Sequence, residues 1–235
     1  MVSVMKIDIV IPTLNRQIKL KNCIESIDKA KHNHNIKLFV YCTNRSDYNA
    51  TANFLFSYPW ASTVLIEEYK VPEVWNTHMR NTTSEVMIYL NDDVLLHEDC
   101  IDQIVGCFHN KYPDFDGIIG LNQVNIPDAL DIAFGAVGYK YAERFPKKQF
   151  FCPDYYRFYG DSEIGEFAKK IDKFYFCADA KITHLHPSLY PEFKDTTHEN
   201  VRRFLAKDRH TNVLRKSMGL VWGESFQLIE GKQYE

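Results

Sequence analysis

Several things are missing from this sequence, and each absence narrows what it can be. No stretch approaches the roughly 20 apolar residues that a membrane-spanning helix needs. The opening Met1-Val-Ser-Val-Met5-Lys6 lacks the charged start and long apolar run of a secretory leader, so a cytoplasmic protein is expected. Two matches to the glycosylation sequon, at Asn49 and Asn81, carry no weight without a secretion signal. The six cysteines, at 23, 42, 100, 107, 152 and 177, include no C-x-x-C pair and no zinc-ribbon spacing, and their scatter fits a reducing compartment. A surplus of positive charge is missing too. With 28 Lys and Arg against 31 Asp and Glu, the net charge of −3 gives no electrostatic case for nucleic acid. There is no internal repeat, no low-complexity segment and no clear linker.

What remains is an ordinary globular composition, 45% hydrophobic and 25% charged over 235 residues, enough to bury a sizeable core. Aromatic residues are plentiful, with fourteen Tyr and sixteen Phe. They serve packing first, but Tyr and Trp also line grooves that face carbohydrate.

The chain is organised around Val86-Met-Ile-Tyr-Leu-Asn91-Asp92-Asp93-Val94. Five apolar residues read as a buried strand, and two adjacent carboxylates with an amide follow it. Paired anions at a strand end repel each other unless a cation or hydrogen-bond donors compensate. Such oxygen ligands suit Mg²⁺ or Mn²⁺, though Asn-Asp-Asp is also common turn chemistry.

Taken in order, apolar runs predict strands over 7–11, 37–42, 63–67, 86–90 and 117–121. Helical spacing predicts helices over 17–31, from the loop at 43–47 to about 57, over 72–80 and over 98–110. This alternation implies an α/β fold, a mostly parallel central sheet with helices on both faces. Ligands in open α/β sheets bind beyond the carboxyl ends of the strands, which is where the loops 12–16, 42–47 and 91–93 converge. Residues 122–160 show few clear elements. A helix is expected from Gly160 to about Lys170, extended segments over 174–178 and 180–185, and a long helix over 197–216. We expect one domain over 1–235, with a nucleotide-binding half at 1–121, an acceptor half at 122–190 and a helical tail at 191–235.

Four constellations can carry chemistry, each with a plainer alternative. In Pro12-Thr13-Leu14-Asn15-Arg16, the guanidinium can meet a phosphate, or the loop is a strand-to-helix turn capped by Asn15. Asp161 and Glu163 supply a general base, or merely offset a helix dipole. His184 and His186, two apart on an expected strand, face one side and either can complete a metal site, or both are structural. The basic residues of the last helix, Arg202, Arg203, Lys207, Arg209, Arg215 and Lys216, form a solvated face or touch anionic lipid or phosphate at a membrane surface.

Together these residues resemble the nucleotide-sugar-dependent glycosyltransferases of the A-type (GT-A) fold, in particular the large inverting family two, over roughly residues 6–187. Asp8-Ile-Val-Ile-Pro-Thr-Leu-Asn-Arg16 is similar to that family's opening strand and nucleotide loop, Trp75-Asn76 to its segment before the acidic strand, and Asn91-Asp92-Asp93 to its D-x-D motif. Gly160-Asp161-Ser-Glu163 resembles its later acidic motif, and Thr183-His-Leu-His-Pro187 its late histidine. The resemblance implies that Pro12, Thr13, Asn15, Arg16, Asn44, Asn76, Asn91 and Asp92 hold a UDP- or GDP-sugar donor. It implies that Asp93, with His184 or His186, binds Mn²⁺ or Mg²⁺. Asp161, with Glu163 as runner-up, would then deprotonate the hydroxyl of a carbohydrate or other acceptor in a single inverting displacement. Two departures stand out: the loop Tyr41–Asp47 lacks the family's paired acids, leaving Asn44 or Asp47 to substitute, and the D-x-D position begins with Asn91. A sugar nucleotidylyltransferase would need a Gly-rich loop after the first strand, and this loop has no glycine. A degenerate sugar-binding or scaffolding domain is the non-enzymatic alternative, and the intact acids at 92, 93, 161 and 163 argue against it.

Overall fold

The computed structural model describes residues 5–67, 70–126 and 132–224, and of 196–202 the backbone only. Its centre is β1 (Lys6–Thr13), whose side chains alternate between two cores as a strand's period of two requires. Ile7, Ile9 and Ile11 pack with Leu20, Ile24 and Ile27 of α1 (Gln17–Ala30) and with Ile101, Ile104 and Phe108 of α4 (Cys100–Lys111). Val10 faces the other way, towards Val74, Trp75 and Met79 of α3 (Val71–Asn81) and Ile164 and Phe167 of α6 (Gly160–Lys170). In β4 (Val86–Tyr89) the same rule sends Val86 and Ile88 to the first cluster and Met87 and Tyr89 to the second. Burial on both faces explains the unbroken apolar run at 86–90.

Asp8 is the one buried charge of β1. It accepts from His78 Nε2 at 2.8 Å, from Ser84 Oγ at 2.7 Å and from Thr82 Oγ1. Burial raises its pKa, but these hydrogen bonds outweigh that and hold the carboxyl below its usual range.

The remaining strands are β2 (Asn35–Cys42), β3 (Ala61–Leu65), β5 (Val94–Leu96), β6 (Ile118–Gln123), β7 (Gly135–Gly138) and β8 (Phe174–His184). They form one sheet in the order β3-β2-β1-β4-β7-β6-β8-β5. The pairings β1·β2, β1·β4, β2·β3 and β6·β8 are parallel; β7 runs antiparallel to β4 and β6, and β5 antiparallel to β8. The fold is the expected mostly parallel α/β sheet with helices on both faces. The helices α2 (Arg45–Leu55), α5 (Tyr139–Ala142) and α7 (Thr196–Ser217) complete it.

Two strands were not expected. β7 lies in the stretch that showed few elements, and the small residues at its ends let neighbours close in: a Cβ on Gly138 would run into the Phe115 carbonyl. β5 is only three residues long and exists because β8 pairs with it. Conversely, the two extended segments expected over 174–185 are one strand. Leu121 pairs with Cys177 but Asn122 with Lys181, so the expected break survives as a bulge. Asn15 does not cap α1: it adopts φ 54°, and Arg16 occupies the cap position. Among the described residues no helix is long and apolar enough to cross a membrane. The side chain of Arg202 and the tail beyond 224 lie outside the described residues.

Candidate active site

The carboxyl ends of β1 and β4 meet in a buried ion cluster. Arg16 follows β1, and its Nη1 lies 2.6 Å from Asp92 Oδ1 and its Nη2 3.0 Å from Asp93 Oδ2. Thr13 Oγ1 donates to Asp92 Oδ2 at 2.8 Å. The paired acids are thus compensated inside the protein, as their burial requires. Burial lowers the Arg16 pKa, but Asp92, Asp93 and Asp195 more than reverse this, so it stays charged. Burial raises the Asp92 pKa against the pull of Arg16, and Asp93 adds to the rise. From the far side Asp195 closes on the same cations, 3.0 Å from Arg16 Nε and 2.6 Å from Lys19 Nζ.

Sheet register brings the late histidine here. Val94 of β5 pairs with His184 at the end of β8, and Leu185 N donates to Asp93 O at 2.8 Å. His184 Nε2 therefore sits 3.5 Å from Asp93 Oδ1. Its other ring nitrogen, Nδ1, is 3.1 Å from Gln123 Oε1. β8 ends at His184, so His186 does not share its strand face as the i, i+2 spacing predicted, although the two rings lie 5.2 Å apart. Ser188 N donates to His186 Nδ1 at 3.2 Å, which puts the proton of a neutral His186 ring on Nε2.

Asn91, Asp93, His184, His186 and Asp161 all line one cleft of about 550 Å³, with Trp75 in its wall. Asp161 stands in the first turn of α6, where Ser162 N donates to its Oδ1 at 2.8 Å. Burial at the cleft wall still pushes its carboxyl up to about 6. Tyr159, which leads into α6 with φ 69°, lines the cleft beside it.

Other expected residues are employed elsewhere. Glu163 turns away from the cleft into a bidentate pair with Arg215, at 2.9–3.1 Å, and accepts from Trp222 N at 2.9 Å. Asn76 is fully buried, its amide bonded in both directions to the Phe151 backbone at 2.9 and 3.0 Å. Asn44 caps α2 by accepting from Asp47 N at 2.8 Å. Asp47 in turn holds Asn15 N at 3.1 Å and Gln17 Nε2 at 2.6 Å. Asn15, Arg16, Asp47 and Asp195 line a second pocket of about 430 Å³. Pro12 does not end the strand: it lies half-buried inside β1, in register with Tyr41, and pairing continues to Thr13 and Cys42. Of the basic residues on α7, Arg215 is thus an internal ion-pair partner rather than part of a free surface.

Sequence reasoning passed over Gln123, Asn125 and Asp195. Gln123 ends β6 and Asn125 follows it, at the same sheet edge as the other polar loops, and that position was their available signal. Asp195 carried none.

Solved structures share this arrangement of elements. The chain is similar to TarS 1-349 of S. aureus, with a TM-score of 0.61 and 10% identity over 80% of this chain and 63% of that one. It is similar to the mannosyltransferase PcManGT of Pyrobaculum calidifontis, solved with GDP-Man and Mn²⁺, with a TM-score of 0.60 and 14% identity over 76% of this chain and 56% of that one. This is a GT-A-like glycosyltransferase fold. TarS 1-349 in complex with UDP also matches, at a TM-score of 0.61 and 10% identity, again over 80% of this chain and 63% of that one. The chain thus spans less than two thirds of each of these structures. No protein-family profile matches the sequence, and no curated protein does.

Proposed function

We propose that this chain is a glycosyltransferase that moves a sugar from a UDP- or GDP-linked donor to an acceptor hydroxyl, with inversion and with Mn²⁺ or Mg²⁺ bound. The observation that carries this reading is the single cleft where Asn91, Asp93, His184 and Asp161 meet, beside the Arg16 ion cluster. The structural neighbours solved with UDP and with GDP-Man and Mn²⁺ support it.

The donor set fits a hard divalent ion. Asp93 Oδ1 and His184 Nε2, 3.5 Å apart, are near the spacing of two ligands on one ion. Among the described residues no three His, Cys, Asp or Glu side chains are grouped to hold a metal. An ion that takes its other ligands from water and a diphosphate needs only one or two from the protein. His184 suits the task better than His186, whose Nδ1 is occupied by Ser188. When bound, the ion supplies positive charge that lets the nucleoside diphosphate leave.

The chain's own residues do the rest. Thr13 and Arg16 fix Asp92. Asp161 takes the proton from the acceptor hydroxyl, and a carboxyl at about 6 is better matched to that work near neutral pH than an ordinary aspartate. Incubating the protein with UDP-, GDP-, CMP- and dTDP-sugars, with Mn²⁺ or with chelator, tests the reading. Metal-dependent release of one nucleotide is expected, and Asp93→Ala should lose both donor binding and transfer. No binding to any donor under either condition would sink it.

A further inference from the structure

We propose that Gln123 is a positioning residue that holds His184 in the tautomer with its proton on Nδ1, so that the Nε2 lone pair faces Asp93. The two side chains together then form the protein's share of a divalent-cation site. This rests on the reading above that the cleft binds such an ion.

The argument is one of donors and acceptors. The Gln123 carbonyl oxygen, 3.1 Å from His184 Nδ1, can only accept, so Nδ1 carries the proton. A neutral ring then presents a bare lone pair at Nε2. Opposite it, at 3.5 Å, stands a carboxylate oxygen of Asp93, another acceptor, at a separation too long for a hydrogen bond. Two acceptors held face to face repel each other unless a proton or a cation lies between them, and with the ring proton on Nδ1 the neutral ring leaves that place to a cation.

The surroundings leave the ring little freedom to escape this. Asn125 Nδ2 donates to His184 O at 2.8 Å and Asn125 Oδ1 accepts from His184 N at 3.0 Å. Phe134 packs its ring against the imidazole at 4.9 Å, nearly perpendicular at 86°. The Leu185 N–Asp93 O bond fixes the two backbones relative to each other. Gln123 is itself only 7% exposed, so its amide is a fixed partner rather than a surface one. Turning that amide over would place an N–H against Nδ1 and move the ring proton to Nε2, where it would face the Asp93 carboxylate and leave no lone pair for an ion, so the amide's orientation decides whether the pair can bind one. A ligating histidine whose second nitrogen is held by a carbonyl is the usual device for fixing a metal ligand.

Nitrogen-15 NMR of the metal-free protein at pH 8 reads the tautomer directly. The His184 proton is expected on Nδ1, and a proton on Nε2 overturns the proposal. Mn²⁺ titration by calorimetry, with UDP or GDP present, reads the consequence. Gln123→Met keeps the volume and removes the acceptor, and should weaken Mn²⁺ binding roughly 10–100-fold. Gln123→Glu restores an acceptor at Nδ1 and should bind within a few-fold of the wild type. Mn²⁺ affinity unchanged in Gln123→Met overturns the positioning role. If the wild type itself binds no Mn²⁺, the metal reading falls and takes this inference with it, a result distinct from binding that ignores Gln123.

Discussion

Asp161 and Glu163 stand two residues apart in one helical turn and have opposite surroundings. Glu163 is bonded to Arg215 and Trp222, whereas Asp161 faces the cleft with burial pushing its carboxyl up to about 6. In the proposed role of base Asp161 works deprotonated, so that reading predicts turnover rising with pH through about 6 and then levelling off. Asp161→Asn should abolish transfer while donor affinity, measured by calorimetry, stays within a few-fold. The stability sign runs the other way. A carboxyl whose folded pKa is raised disfavours the folded state as pH climbs from its ordinary value through about 6. Asp161→Asn should therefore melt no lower than wild type at pH 7.5. Glu163→Gln breaks a largely buried ion pair and should cost about 3 kcal/mol. That corresponds to a melting temperature lower by roughly 6–12 °C in a chain of this size. Retained turnover in Asp161→Asn would reassign the base.

At the scale of elements, a buried carboxylate of α7 gathers the loop that walls the cleft. Asp208 is fully buried and accepts from the backbone N–H of Tyr156, Arg157 and Phe158 at 2.9, 2.8 and 2.8 Å. Asp208→Ala strands three donors, each costing about 1–3 kcal/mol if it finds no new partner. Hydrogen exchange should accelerate locally over 155–161 and leave β1 and β4 protected; uniform acceleration would mean that α7 holds up the whole fold instead. Sequence pattern exposed the elements whose own residues carry the signal. β1 and β4 are runs buried on both faces, and α1 and α4 repeat at helical spacing. β5 and β7 escaped because their stability lies in their partners. Three residues of β5 have no period to read, and β7 has glycine at each end, which locally argues for a turn. The site followed the same logic. Arg16, Asp93 and His184 were visible as residue types after strands, but the Val94–His184 register that joins two of them is a tertiary fact. Glu163 and Asn76 looked like site residues because an acid or amide beside a motif reads the same whether it faces a cleft or a backbone.

Across the whole molecule, the ion cluster sets how ligands must enter. Asp92, Asp93 and Asp195 are already paired with Arg16 and Lys19, three carboxylates on two cations, and Asp92 and Asp93 are almost wholly buried. A bare divalent cation brings more positive charge than the one surplus carboxylate offsets, beside Arg16. A bare diphosphate brings negative charge beside Asp92 and Asp93. In a site of low effective dielectric either imbalance is costly. Arriving together they nearly cancel, and on the proposed reading phosphate oxygens would fill the coordination positions that Asp93 and His184 leave open. Metal and nucleotide should therefore bind cooperatively, each tightening the other by the same factor, and a coupling of about 1–3 kcal/mol is the usual range. Calorimetric titration of Mn²⁺ with and without UDP or GDP measures it from one side, and titration of the nucleotide with and without Mn²⁺ from the other. Thermal melting should show a shift for the pair larger than the sum of the shifts for each alone. An affinity for either ligand that is unchanged by the other would mean that metal and diphosphate do not share this cluster.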